Sequence, residues 1–203
     1  MFKQLIKKII YKEKATSESY VRWLRKNGAK VGDRVKIFAP SKTTIDITRP
    51  WLLEIGNDVQ ITEGVTILTH GYDWSVLKGV HIGNNVIIGA NSLVNKDIPD
   101  NCVVAGNPAK VIMTLEQYYE KRKIAQLDEA IELVKEYRMQ YGKNPDEKAL
   151  HEFFWLFSNG NDNLPECWEH MQNLVGNRKQ TDEVFINNKK MFESMEEFLN
   201  SID

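Results

Sequence analysis

The chain is poor in the residues that usually announce a function. Two cysteines, Cys102 and Cys167, are too few for a disulfide framework and form no paired metal motif, so a reducing, cytoplasmic setting is expected. Four histidines leave little for a histidine-rich metal centre. No apolar run approaches the roughly 18 residues of a membrane span. The basic N-terminus is interrupted by Lys7, Lys8 and Lys12, which does not read as a signal peptide. Lys+Arg 27 against Asp+Glu 28 gives no overall field favouring nucleic acid or an anionic membrane. What is present, 42% hydrophobic and 10% aromatic residues in 203, suffices for one domain with a helical appendage.

The organising feature is a repeat. Val-Gly-Asp-Arg-Val-Lys-Ile begins at Val31, Ile-Gly-Asn-Asp-Val-Gln-Ile at Ile55 and Ile-Gly-Asn-Asn-Val-Ile-Ile at Ile82. Val31 and Ile37 lie six residues apart, as do Ile55, Ile61 and Ile67, and Ile82, Ile88 and Val94. Six matches neither the helical period nor simple strand alternation. It fits a short strand and a corner, with one large aliphatic turned inward and Gly and Asn/Asp supplying the bend. Three such faces close a triangular β-coil of about 18 residues. A sandwich with coincidental Gly-Asn turns is the plainer alternative. The offsets imply loops or bulges around 40–52 and 71–80.

The flanks read as helix. Phe2, Leu5, Ile6, Ile9 and Ile10 recur at helical spacing opposite lysines, a face suited to the coil end, a neighbouring subunit or a membrane surface. A second helix starts near Ser17 and stops at Asn27-Gly28. Thr114-Leu-Glu-Gln117 matches a capping box and opens a long helix ended by Gly142. A further helix after Asn144-Pro145-Asp146 is expected to carry Phe153, Phe154, Trp155 and Phe157. Residues 158–165 read as a loop, and a last helix is expected over about 187–201. The expected division is 1–28 helical, 29–113 repeat domain and 114–203 helical extension.

Few residues suggest chemistry by themselves. His70 ends the strand Val65–Thr69, just before the irregular Gly71-Tyr-Asp-Trp-Ser75. Its unperturbed pKa suits a general base, although a surface histidine is the blander reading. Val104-Ala-Gly-Asn-Pro-Ala-Lys110, preceded by Asn95-Lys96-Asp-Ile-Pro99, is a Gly/Pro turn with two lysines suited to an anionic ligand. Cys102 reads as a small packing residue. His81 points outward, and His151 and His170 lie in the helical tail, too few for a three-histidine zinc site on neighbouring strands.

These residues resemble the hexapeptide-repeat acyltransferases of the left-handed parallel β-helix type, in the maltose/galactoside O-acetyltransferase-like branch. The resemblance covers roughly residues 20–115. It rests on the Ile-Gly-Asn/Asp-Asn/Asp-Val repeats, the Thr69-His70 ending and the Lys96-Asp-Ile-Pro to Lys110 closure. The left hand comes from the family only, since the usual crossover preference gives the opposite coil. The resemblance implies an acetyl-CoA-dependent O-acetyltransferase, a homotrimer with clefts between subunits and no required metal. It makes His70 the base that takes the proton from a saccharide-type hydroxyl, worth about 10²–10⁴ in rate. Ala90, Asn95, Lys96 and Lys110 fall at positions that contact coenzyme A, whose phosphates suit ammonium groups. Tyr72, Asp73 and Trp74 suit a sugar ring, or pack on the neighbouring coil, and Asp46 aligns with a polar acceptor-contacting position. Met113 stands where relatives are often basic.

One departure is plain. Relatives usually carry a loop and about one further coil between the histidine and the last Ile-Gly-Asn-Asn repeat, whereas Gly71–Val80 here leads directly to His81-Ile82. Two other readings therefore stay open. The acceptor is an antibiotic or other small-molecule hydroxyl, or the chain is a catalytically silent trimeric scaffold. No nucleic-acid partner and no stable membrane insertion are expected.

Overall fold

The computed structural model describes residues 2–69, 79–174 and 176–202. They form two compact units, Met1–Tyr119 and Glu120–Asp203.

The first unit opens with α1 (Phe2–Tyr11), a 3₁₀ turn (Lys12–Ala15) and α2 (Ser17–Lys26). Thr16 starts α2 with a reciprocal box, accepting the Ser19 N–H at 3.1 Å while the Ser19 hydroxyl accepts its own N–H at 3.0 Å. Gly28, at φ +102°, ends it.

The six-residue period then becomes three parallel ladders. The first holds β1 (Lys30–Val31), β4 (Leu53–Ile55) and β7 (Val80–Ile82). In the second, β2 (Lys36–Ile37), β5 (Gln60–Ile61), β8 (Val86–Ile88) and β10 (Cys102–Ala105) are parallel, and β11 (Lys110–Thr114) closes the edge antiparallel to β10. The third holds β3 (Thr44–Ile45), β6 (Thr66–Ile67) and β9 (Leu93–Val94). From β1 to β9 the chain visits the ladders in strict rotation, so like residues stack: Val31 on Ile55 on Ile82, Ile37 on Ile61 on Ile88, Ile45 on Ile67 on Val94. From Ile37 onward these inward residues are almost completely buried.

The corners explain the Gly-Asn signature. Arg34, Asp58, Asn85 and Asn101 all take the left-handed conformation, φ 55–57°. Asn and Asp tolerate it because their side chains bond locally. The Oδ1 atoms of Asn57, Asn84 and Asp100 accept the N–H of Asp33, Asn57 and Asn84 on the preceding coil at 2.7–2.8 Å. A Cβ on Gly56 would lie 2.7 Å from the Gly83 backbone, so only glycine admits the coil spacing there. Ile98-Pro99-Asp100-Asn101 is a fourth copy of this corner, bridged to Ile82, with Pro for Gly and Cys102 for the usual Val. Cys102 thus pairs with Val86 and is buried, as a packing residue should be.

The helical entry protects the start of the coil. Ser17 Oγ accepts the Ile37 N–H at 2.9 Å, Arg25 Nε donates to Val31 O at 2.9 Å, and Lys14 Nζ donates to Thr43 O at 2.9 Å. Each bond occupies an edge group that would otherwise invite strand addition. Segment 40–52 is more ordered than the period suggests: β3 lies between two 3₁₀ turns, Pro40–Lys42 and Pro50–Leu52. Extra residues on either side of β3 hide it from a strict six-residue count. On the two sides of 70–78, β7 bonds directly to β4, with Gly56 N–H donating to Ile82 O at 2.6 Å.

Helix α3 (Leu115–Tyr141) begins in the first unit with the expected box, Thr114 and Gln117 exchanging bonds of 3.0 and 3.1 Å, and Gly142 at φ +64° ends it. In the second unit Ala130, Val134, Leu150, Phe153, Phe154, Leu156, Phe157, Trp168, Phe185 and Phe198 form a core separate from that of the coil. Phe154 meets Phe185 edge-on at 5.3 Å and Trp168 nearly parallel at 6.0 Å. The helix expected after Asn144 is instead a series of turns and a 3₁₀ turn, Phe154–Leu156, because bulky aromatics facing several directions follow no helical stripe. The other helices are α4 (Glu166–Gln172), α5 (Arg178–Phe185) and α6 (Met195–Asn200). The last is shorter than expected. Ser194 caps it, and Asn188 bonds Trp155 O at 2.7 Å and Ser158 O at 2.9 Å, holding 187–193 out of helix.

Candidate active site

Among the described residues, the sequence-derived candidates gather along the third ladder and its outer edge. The Asp46 N–H donates to Ile67 O at 2.9 Å and the Leu68 N–H to Val94 O at 2.9 Å, so Asp46, Leu68 and Asn95 follow one another in a column. Two rungs separate Asp46 from Asn95, roughly 10 Å.

Asp46 is 8% exposed. Its Oδ1 accepts the Thr48 N–H at 3.0 Å and hydroxyl at 2.7 Å, and its Oδ2 accepts the Thr69 hydroxyl at 2.6 Å. A carboxylate taken this far from water needs such donors. Thr69, fully buried, is the residue immediately before His70. His70, Tyr72, Asp73 and Trp74 themselves lie outside the described residues.

The other candidates cluster at the far end of the coil. Ala90 is exposed in the turn after β8, and Ser92 fixes that turn by donating to Gly89 O at 2.6 Å and accepting the Gly106 N–H at 3.1 Å. Asn95 and Lys96 are exposed just beyond β9. Lys110, also exposed, opens β11, and the preceding Ala109 N–H donates to Leu93 O at 2.8 Å. Ala90, Asn95, Lys96 and Lys110 are therefore brought around one strand, β9. Lys96 and Lys110 form no ion pair among the described residues. The neighbouring carboxylates are engaged elsewhere, Asp97 with the His81 N–H at 2.9 Å and Asp100 with the Asn84 N–H at 2.7 Å. Two uncompensated ammonium groups on an exposed edge suit a polyphosphate ligand.

Sequence reasoning named Thr69 only as part of the Thr69-His70 ending and passed over Ser92. Their signal was a hydroxyl residue two positions from a rung aliphatic, Ile67 or Val94, visible once the coils are aligned. Cys102 has its thiol pushed above the ordinary range, first by burial and then by Asp100, so thiolate nucleophilicity is suppressed. No group of three or more His, Cys, Asp or Glu among the described residues is arranged to hold a metal. His81 is exposed, with its Nδ1 3.8 Å from Glu54.

Four stacked six-residue corners, inward aliphatic rungs and an anion-suited edge define a hexapeptide-repeat protein. The chain is 36% identical over 126 residues to protein CapG of Staphylococcus aureus, covering 48% of this chain and 73% of CapG. It is 38% identical over 112 residues to galactoside O-acetyltransferase of Lactococcus lactis, covering 50% of this chain and 52% of that enzyme. A galactoside acetyltransferase solved in complex with coenzyme A aligns at 25% identity with a TM-score of 0.30, over 56% of this chain and 80% of that one. No protein-family model matches. The chain belongs to the hexapeptide-repeat acyltransferases; it spans nearly three quarters of CapG and about half of the Lactococcus enzyme.

Proposed function

We propose that the protein transfers the acetyl group of acetyl-CoA to a hydroxyl of a saccharide-type acceptor, as a cytoplasmic homotrimer of left-handed β-coils. The repeat domain, 29–113, carries the chemistry and 114–203 is an appended helical region. The observation that supports this most is the polar edge of the third ladder. A buried Asp46 carboxylate bonded to Thr69 stands near one end, and Lys96, without an ion pair among the described residues, stands beyond β9 near the other.

In this reading His70, directly after Thr69, takes the acceptor proton as the hydroxyl oxygen attacks the thioester carbonyl. The C–S bond then breaks and the thiolate leaves as coenzyme A, with the proton returned to sulfur. Lys96 and Lys110 hold phosphate charge, while Ala90 and Asn95 border the donor along the last coil. The acceptor is met by Tyr72, Asp73 and Trp74, with Asp46 orienting its polar side. Exposed Phe38, Ile47 and Trp51 on the first coil are apolar surface available to neighbouring subunits.

The test is acetyl transfer measured as thiol release over a panel of mono- and oligosaccharides. The expected result is turnover with at least one sugar and a 10²–10⁴-fold loss on His70→Ala, about the worth of a general base. Turnover only with non-sugar hydroxyls moves the acceptor to a small molecule. The direct pairing of β7 on β4 favours a second reading, a silent scaffold with part of the cleft wall missing. No transfer to any acceptor by a well-folded trimer supports that one.

A further inference from the structure

Helix α1 turns a run of apolar residues toward water. Ile9 and Ile10 are 69% and 64% exposed, and Ile6 is 39% exposed, whereas the coil buries nearly all its inward aliphatics. These isoleucines therefore do not pack on the coil end. It is Lys14, beyond the helix, that reaches the coil, through Thr43 O.

The charge of this segment is equally one-sided. Residues 1–14 contain five lysines and one glutamate, and α1 itself has no acidic residue. The rest of the chain carries 22 Lys/Arg against 27 Asp/Glu, so the near-neutral total conceals a positive N-terminus on an otherwise acidic protein. Lys7 and Lys12 are exposed. At 100° per residue, Ile6, Ile9 and Ile10 fall within one sector of α1 with Lys7 on its flank, and Lys12 follows directly after the helix in the 3₁₀ turn.

We infer that α1 is a reversible docking element for an anionic lipid surface, lying in the bilayer interface with the isoleucines down and the lysines at the headgroups. Charge complementarity selects this occupant. A symmetric contact of α1 with copies of itself would bring like charges together, whereas an anionic surface neutralises them and covers the apolar face. A helix of ten residues lies on a membrane; it does not span one.

The test is flotation of the full chain with vesicles of phosphatidylcholine alone and of phosphatidylcholine with about one quarter phosphatidylglycerol. The expected result is at least about tenfold more binding to the anionic vesicles, falling to background at high salt. Ile9→Glu/Ile10→Glu and, separately, Lys7→Glu/Lys12→Glu are each expected to reduce it about tenfold. Both pairs are exposed, so circular dichroism and oligomer mass should stay those of the parent. Equal binding to both vesicle types, or none by folded protein, overturns the inference. So does a fall in oligomer mass with Ile9→Glu/Ile10→Glu when the parent ignores vesicles, since a second copy then covers the face.

Discussion

The two units reach a buried core by opposite routes. In the first, the rungs carry one aliphatic residue each, the corners repeat every six residues, and every coil rests on the one before. In the second, aromatic rings of Phe154, Phe157, Trp168, Phe185 and Phe198 meet at varied angles among short helices and turns, with no period. A repeated core tolerates little change in spacing between coils but spreads its stability over similar small contacts. An irregular aromatic core concentrates stability in a few large side chains. The units also carry one cysteine each, Cys102 buried and Cys167 half-buried, so the change in each thiol's labelling relative to the parent along a denaturant series reports on its own unit.

The largest effect is expected where stability is concentrated. Phe154→Ala should cost about 3–5 kcal/mol and raise Cys167 alkylation above the parent's at denaturant that leaves Cys102 protected. Simultaneous exposure of both thiols would mean that the two cores unfold together, breaking the comparison. Next is Gly56→Ala, which drives a Cβ toward the Gly83 backbone and parts two coils; about 3 kcal/mol is expected, with Cys102 labelled at lower denaturant than in the parent while Cys167 labelling is unchanged.

Tyr20 gives a pH-dependent case. It is fully buried in the first core, its hydroxyl has no hydrogen-bond partner among the described residues, and burial pushes its pKa up to about 12. Because the folded state keeps the phenol neutral while the unfolded chain ionises near pH 10, stability present below pH 10 is lost as the pH climbs through 12. That loss is up to about 2–3 kcal/mol. Tyr20→Phe should leave stability at pH 7 unchanged or slightly raised and flatten this alkaline fall in urea midpoints. An unchanged alkaline profile would show that Tyr20 does not titrate this way. The smallest effect belongs to a single corner bond. Asn57→Ala removes the acceptor of the Asp33 N–H and should cost about 1 kcal/mol by the same midpoints.

This contrast also governs what the sequence makes legible. Ile55, Ile61 and Ile67 announce their ladders because identical residues recur wherever identical geometry does. The fourth corner is harder to see, since Pro99 replaces the glycine and Cys102 the valine, although both fit the same space. Strand β3 is masked by the residues added around it. In the second unit, Phe153–Phe157 look like a helix by composition, yet aromatics that must face several partners pull the backbone into turns. At the site, Lys96 and Lys110 were readable as a pair of positive charges. The Thr69 bond to Asp46 was not, because it joins residues whose adjacency exists only once the third ladder has formed.

The most direct test of the donor site is calorimetric titration of the purified chain with acetyl-CoA beside a Lys96→Ala/Lys110→Ala variant. The account predicts micromolar binding, about −8 kcal/mol, weakened at least about tenfold when both ammonium groups are removed. Absence of binding by the folded parent, or binding that the variant leaves unchanged, would contradict it.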